Sequence, residues 1–236
     1  MPSTTRCPFC GAEMTRRELT LGGKPVFGGY EPCQCAGAVA ERAEQERRDR
    51  ERAERADRER RLQAIRRAGI MPRFERAEHP MAAECARELR DGRNLYVFGE
   101  VGTLKTQLAS AVARTLVEQG VNVRFSAMWK ILDAIKAGFG DGYDPLPQYQ
   151  SCRVLVLDDF GKESPTDFAL ERIFALVDER SARMLPTAVT TQYRPSQLIE
   201  RLAKNGDHDT AIAIVSRLRQ DCRVVEMTGG DRRLSC

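Results

Sequence analysis

From about residue 68 onward, short apolar runs alternate with longer stretches whose apolar positions recur at helical spacing. The runs Leu95–Phe98, Val121–Phe125, Val154–Leu157, Ala188–Thr190 and Val224–Met227 read as strands. Between them, Gln107–Glu118, Met128–Ala137, Phe168–Arg183 and Ala211–Arg219 carry the helical pattern. Strands alternating with helices predict an α/β core, a parallel sheet with helices on its faces. The unbroken apolar run Val154–Leu157 suits a strand covered on both sides. Gly138–Gln150, with Gly, Asp and Pro throughout, predicts a surface loop.

Upstream the pattern changes twice. Residues 37–67 change character: the run EQERRDRERAERADRERR within them has no Gly, no Pro and no large apolar residue. Glu44/Arg48, Glu46/Arg50, Glu51/Arg55 and Glu54/Arg58 stand four apart with the acid first, the favoured orientation on a helix, at about 0.2–0.5 kcal/mol per pair. This predicts a long solvated helix, and the lack of an apolar a/d seam argues against a coiled coil. Residues 1–36 are rich in Gly, Pro and Cys and lack periodic apolar content. Three parts follow: a small module (1–36), a charged linker helix (37–67) and a core (68–236).

Composition narrows the class. Apolar residues make up 42% of the 236, enough for a core, yet no stretch approaches the ~18 continuous apolar residues of a membrane span. Met1 to Arg6 is polar, which predicts a cytoplasmic protein without a signal segment. The net charge of +4, from 38 basic and 34 acidic residues, permits local nucleic-acid contact without requiring it.

In a reducing compartment, eight cysteines suggest metal ligands and buried thiols rather than disulfides. Cys7-Pro-Phe-Cys10-Gly is a knuckle of zinc-binding type, and Cys33-Gln-Cys35 supplies a second pair. A four-thiolate structural Zn²⁺ site is predicted, with metal binding supplying the folding free energy of a module poor in apolar residues. Cys85, Cys152, Cys222 and Cys236 read as buried or incidental thiols, and His79 and His208 lie too far along the chain to join the cluster.

The candidate chemistry centres on NLYVF followed by GEVGTLKT and a helix. A strand, a glycine loop, Lys-Thr and a helix form a phosphate-binding P-loop, in which backbone N–H groups and the helix dipole receive the phosphates. Gly99, Glu100, Val101, Gly102, Thr103, Leu104, Lys105 and Thr106 would cradle ATP, with Lys105 on its β- and γ-phosphates and Thr106 toward Mg²⁺. Leu104 replaces the loop's usual last glycine, so the expectation is either crowding or altered dihedrals there, and turnover is less secure than binding. About fifty residues on, VLVLDDFGKE ends an apolar strand in two carboxylates. Asp158 would hold Mg²⁺, and Asp159 would orient or deprotonate the attacking water.

Taken in order, AGIMPRFERA, LYVFGEVGTLKTQLA, VLVLDDFGKE, PTAVTTQYRPSQL and AIVSRLRQDCRVVEM followed by GGDRRL make the chain, from about Ala68 to Arg233, resemble the DnaC/IstB-like AAA+ ATPases. That family includes replicative helicase loaders and transposition helper ATPases. The resemblance implies that Gln192 stands at the sensor 1 position, where members commonly carry Asn. It places Arg217 at the arginine-finger position, with Arg219 a nearby competitor, and Arg233 near the sensor 2 position, with Arg232 its rival. It further implies self-association through Arg217, single-stranded DNA and a hexameric DnaB-like replicative helicase as partners, and little or no C-terminal helical lid. Three alternatives remain open: a transposition helper acting beside a transposase, a catalytically silent P-loop adaptor, and a DNA-binding protein using the zinc module. The last lacks an obvious recognition helix in residues 1–36.

Overall fold

The computed structural model describes residues 5–140, 142–205 (without the side chain of Asn205) and 207–230. The chain forms two compact units, Met1–Arg60 and Arg61–Cys236.

In the first unit, β1 (Arg16–Leu21) and β2 (Lys24–Tyr30) pair antiparallel across Gly22-Gly23. Both glycines hold positive φ, 58° and 79°, which a two-residue hairpin turn of this hand demands at its central positions. The Gly-Gly step between Leu19–Leu21 and Pro25–Phe27 is therefore a hairpin signal that apolar periodicity alone does not show. The charged helix α1 runs from Ala36 to Arg67. Of the four ion pairs expected from spacing, Glu44–Arg48 closes; Glu51 turns instead to Arg47, and Asp49–Arg52 and Asp57–Arg60 pair three apart. On a solvated face the alternatives differ by tenths of a kcal/mol, so spacing does not select the partner.

In the second unit, β3 (Asn94–Gly99), β4 (Val123–Ala127), β5 (Val154–Asp158), β6 (Thr187–Thr191) and β7 (Cys222–Met227) form one parallel sheet in the order β4-β5-β6-β3-β7. The helices are α2 (Ala82–Arg90), α3 (Lys105–Glu118), α4 (Met128–Gly138), α5 (Leu146–Ser151), α6 (Asp167–Ala182), α7 (Pro195–Leu202) and α8 (His208–Arg219). Alternation along β3, β5 and β6 feeds two cores. Tyr96, Phe98, Leu155, Leu157 and Val189 pack with α4, α6, α7 and α8 on one face, while Leu95, Val97, Val154, Val156 and Ala188 pack with α2 and α3 on the other. Each such aliphatic side chain taken from water contributes about 1.5–3 kcal/mol, which is why the strands read as unbroken apolar runs.

The segment expected to be a surface loop, 138–150, is partly helical. Leu146 is buried, its N–H bonds to Asp144, and Pro145 at the helix start supplies a φ suited to entering α5. Helix ends elsewhere follow local capping: Thr166 accepts from the Ala169 N–H, and Asp207 from that of Thr210.

The order of the strands matters most for function. β6 is inserted between β3 and β5, so the C-terminal ends of three strands converge where the β3–α3 loop leaves the sheet. Ligands of open parallel sheets bind at such carboxyl ends.

Candidate phosphate site

The loop leaves β3 at Gly99, where any Cβ would come within 2.1 Å of the Met227 carbonyl oxygen. Only glycine lets the loop start so close to β7. Leu104 caps α3 with φ 63° and ψ 22°, the left-handed conformation. This is a backbone conformation that glycine adopts without strain. The leucine accepts that conformation at a cost of about 1–2 kcal/mol.

Lys105 is buried and folds back on the loop, its Nζ donating to the carbonyl oxygens of Gly99 (2.8 Å) and Glu100 (2.6 Å). Thr103 closes the same ring through its hydroxyl, which donates to the Glu100 carbonyl. At the start of α3, Thr106 Oγ1 lies 3.1 Å from both carboxylate oxygens of Asp158. The loop threonine and the carboxylate at the end of β5 are therefore in direct contact, although 52 residues separate them. Both present hard oxygen donors of the type Mg²⁺ takes, and between them they would hold such an ion directly or through water.

Thr190, buried near the end of β6, links the Asp158 carboxylate to the Asp159 backbone. Its hydroxyl donates to Asp158 Oδ1 at 2.6 Å and accepts the Asp159 backbone N–H at 2.9 Å. Burial raises the Asp158 carboxyl above the ordinary carboxylate range, opposed by the Thr190 hydroxyl, reinforced by the adjacent Asp159 and opposed again by Thr106. Thr190 was not among the residues expected from sequence. The signal is a pair of threonines, Thr190-Thr191, ending the strand, and their importance becomes visible only when β6 is known to separate β3 from β5.

Asp159 adopts φ 55°, which turns its side chain out of the strand into the cleft. There it pairs with Lys162 at 2.8 Å. Lys162, Asp159 and Gln192 line one cleft with Val101, Gly102, Leu104, Lys105 and Thr106, so the structure brings Gln192 beside the loop. The turn after Asp159 is pinned from below: the buried Glu163 carboxylate accepts the Gly161 N–H, and Arg201 donates to the carbonyls of Gly161 and Glu163.

Arg217 stands elsewhere. The carbonyl of Arg217 accepts from the side chain of Asn94, the first residue of β3, whereas the loop begins at its last. Five residues of strand separate those levels, about 17 Å at ~3.3 Å per residue. Arg217 pairs with Asp178 at 2.7 Å and lies over the Phe174 ring. It therefore cannot reach the phosphate site of its own chain from this position. Arg233 and its rival Arg232 fall outside the described residues; the segment leading to them, Thr228–Gly230, borders a hollow beside Gly99, Glu100 and Gln192.

In the N-terminal unit the four sulfurs of Cys7, Cys10, Cys33 and Cys35 all lie within 4.8 Å of one another. Cys7–Cys35 and Cys10–Cys33 are 3.8 and 3.6 Å apart, close to the ~3.8 Å that a tetrahedron of ~2.3 Å zinc–sulfur bonds requires. The Phe9 backbone N–H, aided by that of Cys10, pulls the Cys7 thiol down to about 7. Cys10, though drawn down by the Ala12 amide, is pushed up to about 12 by Cys33 and Cys35. Four thiols this close form a donor set that a divalent cation would complete. The remaining described thiols behave as expected: Cys85 and Cys152 are buried and Cys222 is partly so.

A family model described as IstB-like ATP binding protein matches residues 47–235. The replicative helicase loader DnaI of Bacillus subtilis is 24% identical over 153 residues, covering 62% of this chain and 49% of that protein. A putative ATP-binding protein in an insertion sequence of Mycobacterium tuberculosis is 27% identical over 112 residues, covering 47% of this chain and 45% of its own length. The chain thus spans about half the length of the curated relatives it matches. Among solved structures, DnaI superposes with a TM-score of 0.54 at 25% identity, covering 71% of this chain and 84% of that one. The DnaC helicase loader does so at 0.53 and 23% identity, covering 67% of this chain and all (100%) of its own.

Proposed function

Because the chain belongs to the IstB-like ATP-binding protein family, we propose that it is a Mg²⁺-dependent AAA+ ATPase of DNA replication, a helicase-loader-like protein acting with a hexameric replicative helicase on single-stranded DNA. The contact between Thr106 and Asp158 carries the ATPase part of this reading, since it joins the two groups a nucleotide-bound Mg²⁺ needs. Bound ATP would draw Lys105 from the loop carbonyls to its β- and γ-phosphates. The helix dipole of α3 and the loop amides would receive the remaining charge. Asp159 would position the attacking water, with Gln192 beside the terminal phosphate, and Mg²⁺ would neutralise the charge developing on the phosphate oxygens.

The DNA part has its own support. Phe139 and Phe168 meet edge to face at 5.7 Å, and Phe139 is 66% exposed. Lys136 and Arg172 lie over the Phe168 ring, and the half-exposed Trp129 carries Lys130 against it. Exposed aromatic rings interleaved with cations are the means by which proteins hold single strands, bases stacking on rings and phosphates meeting charge. A replication initiator, DnaA, of similar fold (TM-score 0.55, 19% identity) has been solved with AMPPCP and single-stranded DNA.

Nucleotide titration in Mg²⁺ tests the core of the reading. The wild-type chain should bind ATP and turn it over faster with single-stranded DNA, while Lys105→Ala loses at least tenfold in affinity. Absence of ATP binding at millimolar concentration would leave a silent adaptor. Phe139→Ala should weaken a labelled oligonucleotide about tenfold, in line with ~1–3 kcal/mol per stacked base. The similarity to insertion-sequence proteins favours a second partner. Co-purification decides: a hexameric helicase supports the loader reading, and a transposase supports the transposition helper.

A further inference from the structure

The cleft holds a second cation, Lys162, for which the P-loop pattern provides no role. The backbone on either side of it is fixed. Its own N–H donates to the Asp159 carbonyl at 3.3 Å, closing a tight turn. Gly161 N–H is 3.1 Å from both oxygens of the buried Glu163 carboxylate, and Arg201 donates at 2.9 Å to each of the flanking carbonyls, Gly161 and Glu163. The side chain is what this anchoring leaves able to move. Its ammonium sits 2.8 Å from Asp159 Oδ2, is 46% exposed, and borders the same cleft as Lys105, Thr106 and Gln192.

Such a pair sets up a competition. An exposed ion pair is worth at most about 1 kcal/mol, so the ammonium exchanges partners readily. The terminal phosphate of ATP carries more negative charge than one carboxylate and offers three oxygens. While Lys162 is held, its ammonium occupies Asp159 Oδ2, the oxygen that a water in the cleft would otherwise meet. We infer that Lys162 is an ATP-selective cation that leaves Asp159 for the terminal phosphate, freeing the Asp159 carboxylate for the attacking water only when that phosphate is present. The inference rests on the proposed nucleotide site. ADP, lacking the terminal phosphate, leaves the Lys162–Asp159 pair in place.

The test compares AMPPCP, a non-hydrolysable ATP analogue, with ADP on the full chain in Mg²⁺, using wild type, Lys162→Met and Lys162→Arg. Lys162→Met should lower AMPPCP affinity about tenfold, equivalent to ~1.4 kcal/mol, and change ADP affinity less than twofold. Lys162→Arg, which keeps the charge, should retain most of the preference for AMPPCP. Equal losses for both nucleotides in Lys162→Met would assign Lys162 to shaping the turn and overturn the inference, as would no loss for either. If the wild-type chain binds neither nucleotide, or Lys105→Ala binds both unchanged, the nucleotide site itself is wrong and the inference goes with it.

Discussion

Leu104 departs from the glycine pattern of its loop while holding a backbone conformation that glycine favours. The position requires a left-handed backbone, which leucine adopts at a cost of about 1–2 kcal/mol that glycine avoids. Since Leu104 already holds the left-handed conformation that glycine would adopt freely, Leu104→Gly should change ATP affinity by less than about threefold, as measured in the same titration. A tenfold gain would mean that the leucine side chain obstructs the phosphates. Arg180 makes the opposite point, a charge that looks solvated in sequence and is not. It is 1% exposed and donates to the Thr187 hydroxyl and to the carbonyls of Tyr149, Cys152 and Pro186. Replacing it strands several buried acceptors at ~1–3 kcal/mol each. Arg180→Met should therefore lower stability by at least about 3 kcal/mol in a denaturant titration, although the residue lies far from the phosphate loop.

At the scale of elements, the hairpin module has little of its own to hold it. Every residue of β1 is exposed, as are Phe9, Leu21 and Phe27, so apolar burial contributes little and a metal at the four cysteines would supply the missing free energy. One zinc per chain is expected by metal analysis. Removing it with a chelator should release a stoichiometric ion and convert Cys7, Cys10, Cys33 and Cys35 from protected to rapidly alkylated thiols. Alkylation at the same rate with and without metal would remove zinc from the account. Cys152, which burial foremost pushes above its ordinary range, should stay unreactive in either state.

At the scale of the whole molecule, Arg217 faces away from its own chain's phosphate site, held by Asp178 and Phe174. If it acts on nucleotide, it does so on a second copy, stabilising charge as arginine fingers do. Arg217→Ala should then preserve ATP binding while reducing turnover about 10³-fold, and equimolar mixing with Lys105→Ala should restore part of it, because each variant supplies what the other lacks. Turnover unchanged in Arg217→Ala would confine the residue to its contacts with α6, and Arg219 would be the next candidate.

The sequence alone determined what local chemistry encodes. Apolar runs located all five core strands to within two residues of their ends, the glycine loop with Lys105 and Thr106 marked the candidate phosphate site, and the paired cysteines marked a candidate donor set. Charge spacing marked a helix but not its ion pairs, because exposed partners are nearly equivalent in energy. Only the tertiary structure decided which strands are neighbours. Strand order is set by how two apolar faces are covered at once, a property of the whole sheet that no window of sequence contains. That order inserts β6 between β3 and β5, which turns Thr190 from a strand residue into the link between Asp158 and Asp159. It also carries Gln192 to the loop and Arg217 to the far end of the sheet, and brings Thr106 against Asp158 across 52 residues.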